Sequence, residues 1–296
     1  MYLRENATGE TALAFRDLGT AALARCARGE SSWVSIDEIG YLECGCPEYY
    51  GAVLDLMEKK RVAAVIRKQE LPFLTELCSR PDVFCVDLDQ PFGQLGCVIM
   101  ASGLGKRFGG GKLLAQLEGK PLIEWTLDAT EGIFRRRIVV TRHREVEALC
   151  REREVPALLH NQPFRSDTIR LGLEALEKGA ELLEACVFCP ADQPLLRKET
   201  LASLALCASG TKKGQEKALI WRPAFGEKAG SPVLFPRRFF AELRALPKGQ
   251  GGSYVIRSHP EAVRILQVRD PMELADVDTP EDLESMKSWK SSVRQR

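Results

Sequence analysis

The sequence predicts an α/β protein: a doubly wound, mostly parallel sheet over residues 94–296, preceded by a smaller α/β module over 1–92. Three observations carry that expectation. Short apolar runs alternate along the chain with stretches of helical period, the pattern of repeated strand–helix units. The apolar runs lack polar alternation, as strands covered on both faces do. The length of 296 residues suits about two domains.

In the first module, 33–36 (WVSI), 62–66 (VAAVI) and 83–87 (VFCVD) read as strands, because apolar and β-branched residues run together between polar turns. Residues 48–59 and 71–79 carry apolar side chains three and four apart and read as helices. Asp89-Gln90-Pro91-Phe92-Gly93-Gln94 puts Pro and Gly between two buried-strand candidates and marks the domain boundary. Beyond it, strands are expected at 97–101, 138–141, 185–189, 218–221, 232–235 and 263–268. Helices are expected at 122–130, 145–153, 168–178, 198–208, 237–246 and 280–289.

Composition narrows the function. Hydrophobic residues make up 45% and charged residues 28%, an ordinary globular balance. Lys and Arg total 42 against 41 Asp and Glu, so the net charge is +1. That leaves no electrostatic footprint for nucleic acid or an anionic membrane surface. No apolar run approaches the roughly 20 residues of a membrane helix, and the first residues lack the apolar core of a signal peptide. The ten cysteines are scattered, several inside apolar runs. They read as reduced, mostly buried thiols of a cytoplasmic protein.

Residues 97–114, CVIMASGLGKRFGGGKLL, hold the densest chemistry. A buried strand enters a loop with five glycines interleaved with Lys106, Arg107 and Lys112. Glycine lets backbone N–H groups approach phosphate oxygens, and the cations neutralise their charge. Two common phosphate motifs fail by counting. The dinucleotide fingerprint needs Gly where Phe108 stands, and the Walker A loop needs Gly and Ser or Thr where Lys106 and Leu113 stand. Further on, Asp192-Gln193-Pro194 follows the apolar run ACVFCPA, and Asp276-Val277-Asp278-Thr279-Pro280-Glu281-Asp282 precedes the last helix. Asp192 would stand at the C-terminal end of a strand, where open α/β sheets bind ligands. Asp278 or Thr279 could instead cap the helix that begins near Pro280.

The order Ala101-Ser102-Gly103, Arg107, Gly111-Lys112-Leu113-Leu114 and Gly119-Lys120-Pro121-Leu122 resembles the signature of the MobA-like nucleotidyltransferases. Asp192-Gln193-Pro194, the DVDTPED segment, and Asn161 with Asp167-Thr168-Ile169-Arg170-Leu171-Gly172-Leu173 match its other motifs in order. The resemblance covers 94 to about 290 and is nearest the molybdenum-cofactor cytidylyltransferases (MocA-like), whose first motif carries A-A-G rather than A-G-G. It implies a nucleotide-diphospho-sugar transferase-like fold and transfer of CMP from CTP to molybdopterin cofactor, with release of pyrophosphate. It also implies Mg²⁺ or Mn²⁺ held by Asp192 and Asp278. Lys112, Arg107 and Asp192 would be catalytic, and Ala101, Ser102, Gly103, Arg107, Lys112, Asn161 and Thr168 would bind the nucleotide. The implied partner is a molybdenum hydroxylase or its maturation factor. The rival readings are a guanylyl- or other nucleotidyltransferase with a different phosphate acceptor, and a non-catalytic scaffold that holds the cofactor during maturation.

The chain departs from the family pattern at Gly230-Ser231-Pro232-Val233, where the family has histidine for Ser231. It departs again at Gly249-Gln250-Gly251-Gly252, where Gln replaces Asp. Both bear on the acceptor rather than the metal. Cys186-Val187-Phe188-Cys189 has ligand spacing but lies in an apolar strand without a second pair, so it reads as core. Cys44-Gly45-Cys46 is a weak thiol pair, and His143, His160 and His259 form no zinc pattern.

In the first module, WVSI runs into Asp37-Glu38, a Walker B arrangement. With Ile39, Gly40, Leu42 and Glu43 it resembles the D-E-I-G-x-x-E of a small P-loop nucleoside-triphosphatase family. Nothing before Asp37 supplies a Walker A loop. Asp37 and Glu38 are therefore expected to be a vestigial or incomplete site, in a degenerate module or one whose true start lies upstream.

Overall fold

The computed structural model describes residues 13–41, 46–89, 91–92, 94–179, 182–209 and 219–294. The chain divides into two compact units, Met1–Cys85 and Val86–Arg296. No helix among the described residues is long and apolar enough to cross a membrane.

In the first unit a π-helical turn, Phe15–Gly19, leads into α1 (Thr20–Arg28), an element the sequence patterning does not signal. Then come β1 (Trp33–Ile39), α2 (Pro47–Lys59), β2 (Arg61–Ile66) and α3 (Pro72–Ser79). Proline opens both α2 and α3, where its missing N–H costs nothing. The strands pair in parallel, Trp33 opposite Arg61 and Ile36 opposite Ala64. Leu23, Ile36, Ile39, Tyr49, Val53, Leu56, Phe73, Leu74 and Leu77 form one core. Ala63, Ala64 and Val65 are exposed, so β2 lacks the two-sided cover its apolar run predicts. Residues 83–87 are not a strand. They are irregular, with Phe84 exposed; the Val83 N–H is satisfied by a turn, donating to the Arg80 carbonyl, rather than by a strand ladder.

The second unit continues with β3 (Leu95–Ala101), β4 (Gln116–Leu117), β5 (Lys120–Pro121), α4 (Leu122–Thr130), β6 (Arg136–Thr141), α5 (Arg144–Glu152), β7 (Ala157–Leu159) and α6 (Arg165–Glu177). Then follow β8 (Ala185–Pro190), α7 (Lys198–Ser209), β9 (Ile220–Phe225), β10 (Lys228–Ala229), β11 (Val233–Pro236), α8 (Phe240–Arg244), α9 (Ser253–Ser258), β12 (Val263–Gln267) and α10 (Pro280–Arg294). The expected helix at 237–246 is a 3₁₀ turn, Arg237–Phe239, before the short α8.

Among the described residues eight strands form one sheet in the order β10-β9-β11-β8-β3-β6-β7, with β12 on β9. The β8-β3-β6-β7 core and the β12–β9 pair are parallel, while β11 runs antiparallel to both β8 and β9. The mostly parallel, doubly wound expectation holds. Along β3, Cys97, Ile99 and Ala101 enter one core and Val98 the other. Ile123, Val146 and Leu201 bring α4, α5 and α7 to the first face. Ile169, Leu173 and Phe240 bring α6 and α8 to the second.

Gly172 explains the close approach of α6 to the sheet. A Cβ there would lie 2.5 Å from Val98 Cγ1 and 2.8 Å from Val98 Cγ2. Gly172→Ala should destabilise the protein by about 1–3 kcal/mol, the usual cost of overpacking, despite its better helix propensity. Urea unfolding checks this, and a midpoint at or above wild type would contradict the packing account.

Candidate functional site

Chain order reverses at the β3–β8 pair. From β3 the sheet grows through β6 and β7 on one side, and through β8, β11 and β9 on the other. In such sheets the C-terminal strand ends on either side of the reversal leave a crevice. The loop 102–111 leaves β3 there, and Ala191-Asp192-Gln193 leaves β8. The Ala191 N–H donates to the Met100 carbonyl and carries the pairing one step further.

The glycine loop has definite conformational demands. Gly109, Gly110 and Gly111 take φ of 88°, 97° and 63°, three successive left-handed residues that only glycine adopts cheaply. Gly105 is left-handed as well, and its carbonyl accepts from the N–H groups of Phe108 and Gly110. The chain then makes one 3₁₀ turn, Lys112–Leu114, anchored by buried Leu113. That turn buries Lys112 and aims its ammonium into the crevice.

Lys112 Nζ donates to Asp192 Oδ2 at 2.6 Å and lies 3.5 Å from Asp278 Oδ1. Arg107 Nη2 donates to Asp278 Oδ2 at 2.7 Å. Residues 80 and 166 positions from Lys112 in sequence thus meet at one ammonium. Two links hold the two aspartate loops together: the Val277 N–H donates to the Asp192 carbonyl at 2.9 Å, and Gln193 Nε2 donates to the Leu274 carbonyl at 3.3 Å. Val277 is fully buried with Leu117, Leu122, Leu283 and Met286.

Capping of α10 falls to Thr279. Its Oγ1 accepts from the Asp282 N–H, and the Asp282 carboxylate accepts from the N–H groups of Thr279 and Asp278. Those bonds hold the Asp282 carboxyl below its ordinary range, the Thr279 N–H first. The Asp278 side chain is thereby free for the crevice. Asp276 keeps an exposed surface, yet protein atoms crowd its carboxyl. That burial, ahead of the Asp192 charge, pushes its pKa up. It is a third carboxyl at the site that the motif reading leaves without a role.

On the other flank of the loop, Thr141 Oγ1 donates to the Ala101 carbonyl at 3.1 Å and Arg142 Nε to the Ser102 carbonyl at 2.9 Å. His143 Nε2 bonds the Gly103 carbonyl at 2.8 Å. Ser102 is buried. Its Oγ donates to the Val140 carbonyl at 3.0 Å and lies 2.8 Å from His160 Nε2. Two of the three histidines, which form no pattern in the sequence, therefore converge on Ser102-Gly103, while His259 pairs with Glu242. The sequence expects no strand at 157–159 and gives no signal of this convergence, since His160 follows β7 and His143 lies two residues past β6.

The remaining candidates are dispersed. Asn161 is exposed just past β7. Thr168 is buried on the inner side of α6 and offers a nucleotide almost no surface. Gly249 is left-handed, and Gln250 Oε1 accepts from Arg257. The Ser231–Pro232 peptide is cis. Cys186 and Cys189 face opposite cores of β8, and burial pushes both thiols up. They cannot act as a pair. In the first unit Asp37 and Glu38 lie within β1 rather than at its end, both exposed, and Glu38 is ion-paired with Arg67. Leu42, Glu43, Cys44 and Gly45 lie outside the described residues.

A family model described as the MobA-like NTP transferase domain matches residues 97–263, more than half of the chain. A Bacillus licheniformis protein named probable molybdenum cofactor guanylyltransferase is 31% identical over 107 residues, covering 36% of this chain and 53% of that protein. An Aquifex aeolicus protein of the same name is 32% identical over 106 residues, covering 36% and 49%. The chain thus spans about half the length of the curated relatives it matches. The crystal structure of Rv0371c from Mycobacterium tuberculosis H37Rv covers 66% of this chain and 98% of its own, with a TM-score of 0.56 at 23% identity. The manganese complex of Rv0371c has the same coverage, a TM-score of 0.52 and 21% identity. These structures share the fold.

Proposed function

The chain belongs to the MobA-like NTP transferase family, and from that premise we propose that it moves a nucleoside monophosphate from an NTP to the terminal phosphate of molybdopterin cofactor. A phosphate oxygen of the acceptor bonds to the α-phosphorus, the α–β bridging bond breaks, and pyrophosphate leaves. The observation that carries this reading is the Lys112–Asp192–Asp278–Arg107 cluster at the mouth of a glycine loop. The curated relatives named for the guanylyl version of this reaction support the acceptor.

The residues fit a divalent cation. Among the described residues no group of three or more His, Cys, Asp or Glu side chains could hold a metal. Magnesium in such enzymes binds through one or two carboxylates plus substrate phosphates, and Asp192 and Asp278 provide two. A manganese complex of a protein with this fold agrees with that chemistry. When bound, the cation would polarise the α-phosphoryl group and neutralise the leaving pyrophosphate. Lys112 and Arg107 then turn to the triphosphate, while the glycine loop cradles it. Ala101–Gly103 backs the base and ribose, with Asn161 beside them. Asp37 and Glu38 are read as a vestigial or incomplete Walker B pair, and the proposed partner is a molybdenum hydroxylase or its maturation factor.

For the base we assign cytosine, because a side chain stands at position 102 where the guanylyl-transferring pattern has a second glycine. The Ser102 hydroxyl is turned to Val140 and His160, so its influence runs through the backbone it fixes. CTP should compete for the site at least about tenfold better than GTP, the discrimination a shaped pocket gives. Equal or tighter GTP binding would assign the guanylyl reaction named for the relatives. The reaction itself is tested by pyrophosphate release with each of the four NTPs, with and without molybdopterin cofactor. Release that needs no acceptor, or none with any NTP, would remove the assignment.

A further inference from the structure

We infer that His143 and His160 are positioning residues that fix the Ser102-Gly103 backbone and through it set which base the site accepts, a role that rests on the nucleotidyl-transfer reading. The parallel ladder of β3 and β6 ends with Ala101 opposite Thr141. Backbone pairing stops there, but side chains continue it. Thr141, Arg142 and His143 donate in turn to the carbonyls of Ala101, Ser102 and Gly103. Three successive donors meet three successive acceptors in the strand register. Thr141 Oγ1 also accepts the His143 N–H at 3.1 Å, which ties the two ends of this ladder together.

His160 locks the same segment from β7. Its backbone N–H donates to the Thr141 carbonyl at 3.0 Å. Its Nδ1 accepts the Gln162 N–H at 3.1 Å, so the ring proton is on Nε2 and is donated to Ser102 Oγ. The serine hydroxyl in turn donates a hydrogen bond to the Val140 carbonyl. Burial, ahead of the Arg142 charge, holds the His160 pKa down and keeps this neutral tautomer.

A purely structural role would place such a network in the core. Here the ladder ends at Gly103 and Leu104, which are exposed at the crevice. A turn flanked by Gly103 and Gly105 is costly to fix. Fixing it aims the amide groups that meet a base, and groups with fixed direction discriminate by what they leave unpaired.

The full chain is tested as wild type, His143→Ala, His160→Ala, Ser102→Ala and His143→Gln, the last keeping an N–H donor near the Nε2 position. Steady-state kinetics with all four NTPs is paired with direct binding of each NTP and thermal melts. Each alanine variant should raise KM and Kd for the preferred NTP about fivefold, the loss expected of one net hydrogen bond. The effect should fall on KM more than on kcat, and the kcat/KM ratio between the preferred NTP and the next should shrink about as much. His143→Gln should restore most of it. If His160→Ala does not fold, Ser102→Ala removes the same link. KM and the selectivity ratio within twofold of wild type in the alanine variants would overturn the role, as would losses in kcat that leave the ratio unchanged. A wild-type protein that binds no NTP would overturn the nucleotidyl-transfer reading itself.

Discussion

Asp192→Asn is expected to lower kcat for pyrophosphate release on the order of 10³-fold, about 4 kcal/mol of transition-state stabilisation. The fold should survive the change. The loop is held by its backbone, through Val277 N–H to the Asp192 carbonyl and Gln193 to Leu274, and the amide oxygen of Asn can still accept from Lys112. What disappears is the negative charge that would hold a divalent cation against the α-phosphate. Lys112 and Arg107, with Asp278 alone to balance them, then pull the triphosphate without the ion that activates it. The expected signature is NTP binding within a few-fold of wild type, a melting temperature near wild type, and lost turnover. A purified Asp192→Asn protein that releases pyrophosphate at a near-wild-type rate would remove Asp192 from the chemistry.

The parts of this site legible in the sequence are those whose chemistry is local. A strand entering five glycines and three cations, and an aspartate before proline after a second buried strand, point to phosphate and cation chemistry through residue types alone. Asp278 was ambiguous because Thr279 and Asp282 beside it are capping residues. The structure resolves the ambiguity by giving the cap to Thr279 and leaving Asp278 with Arg107 and Lys112. The side-chain ladder from Thr141 to His143 was illegible for a different reason. It depends on the register of β3 against β6, and on β7 bringing His160 to Ser102. Apolar patterning specifies that strands are buried but not which residue faces which. The same limit explains 83–87, where the run VFCVD predicts a strand and the backbone is irregular instead. It also explains Thr168, whose motif position says nothing of its burial against the sheet.

Lys112→Met should move two measurements in opposite directions. The ion-paired groups of the crevice balance: two carboxylates, Asp192 and Asp278, against one ammonium and one guanidinium, with the Asp276 carboxyl beside them. The ammonium occupies the space between the carboxylates, where a bare cation would have to enter. Two unit charges about 4 Å apart at an effective dielectric of about 20 interact by about 4 kcal/mol, so the lysine opposes metal entry when no phosphate is there to draw it away. Methionine keeps most of the buried stem's volume and removes that charge. Mn²⁺ alone, titrated by electron paramagnetic resonance, should therefore bind about tenfold more tightly to Lys112→Met than to wild type. Turnover should fall instead, on the order of 10²–10³-fold, because the departing pyrophosphate loses its buried cationic contact. Asp278→Asn, which weakens both the cation site and the grip on Arg107, should lower Mn²⁺ affinity and turnover together. Unchanged or weaker Mn²⁺ binding in Lys112→Met would mean that the ammonium and the metal do not compete, and that Asp192 and Asp278 are merely the ion-pair partners of Lys112 and Arg107.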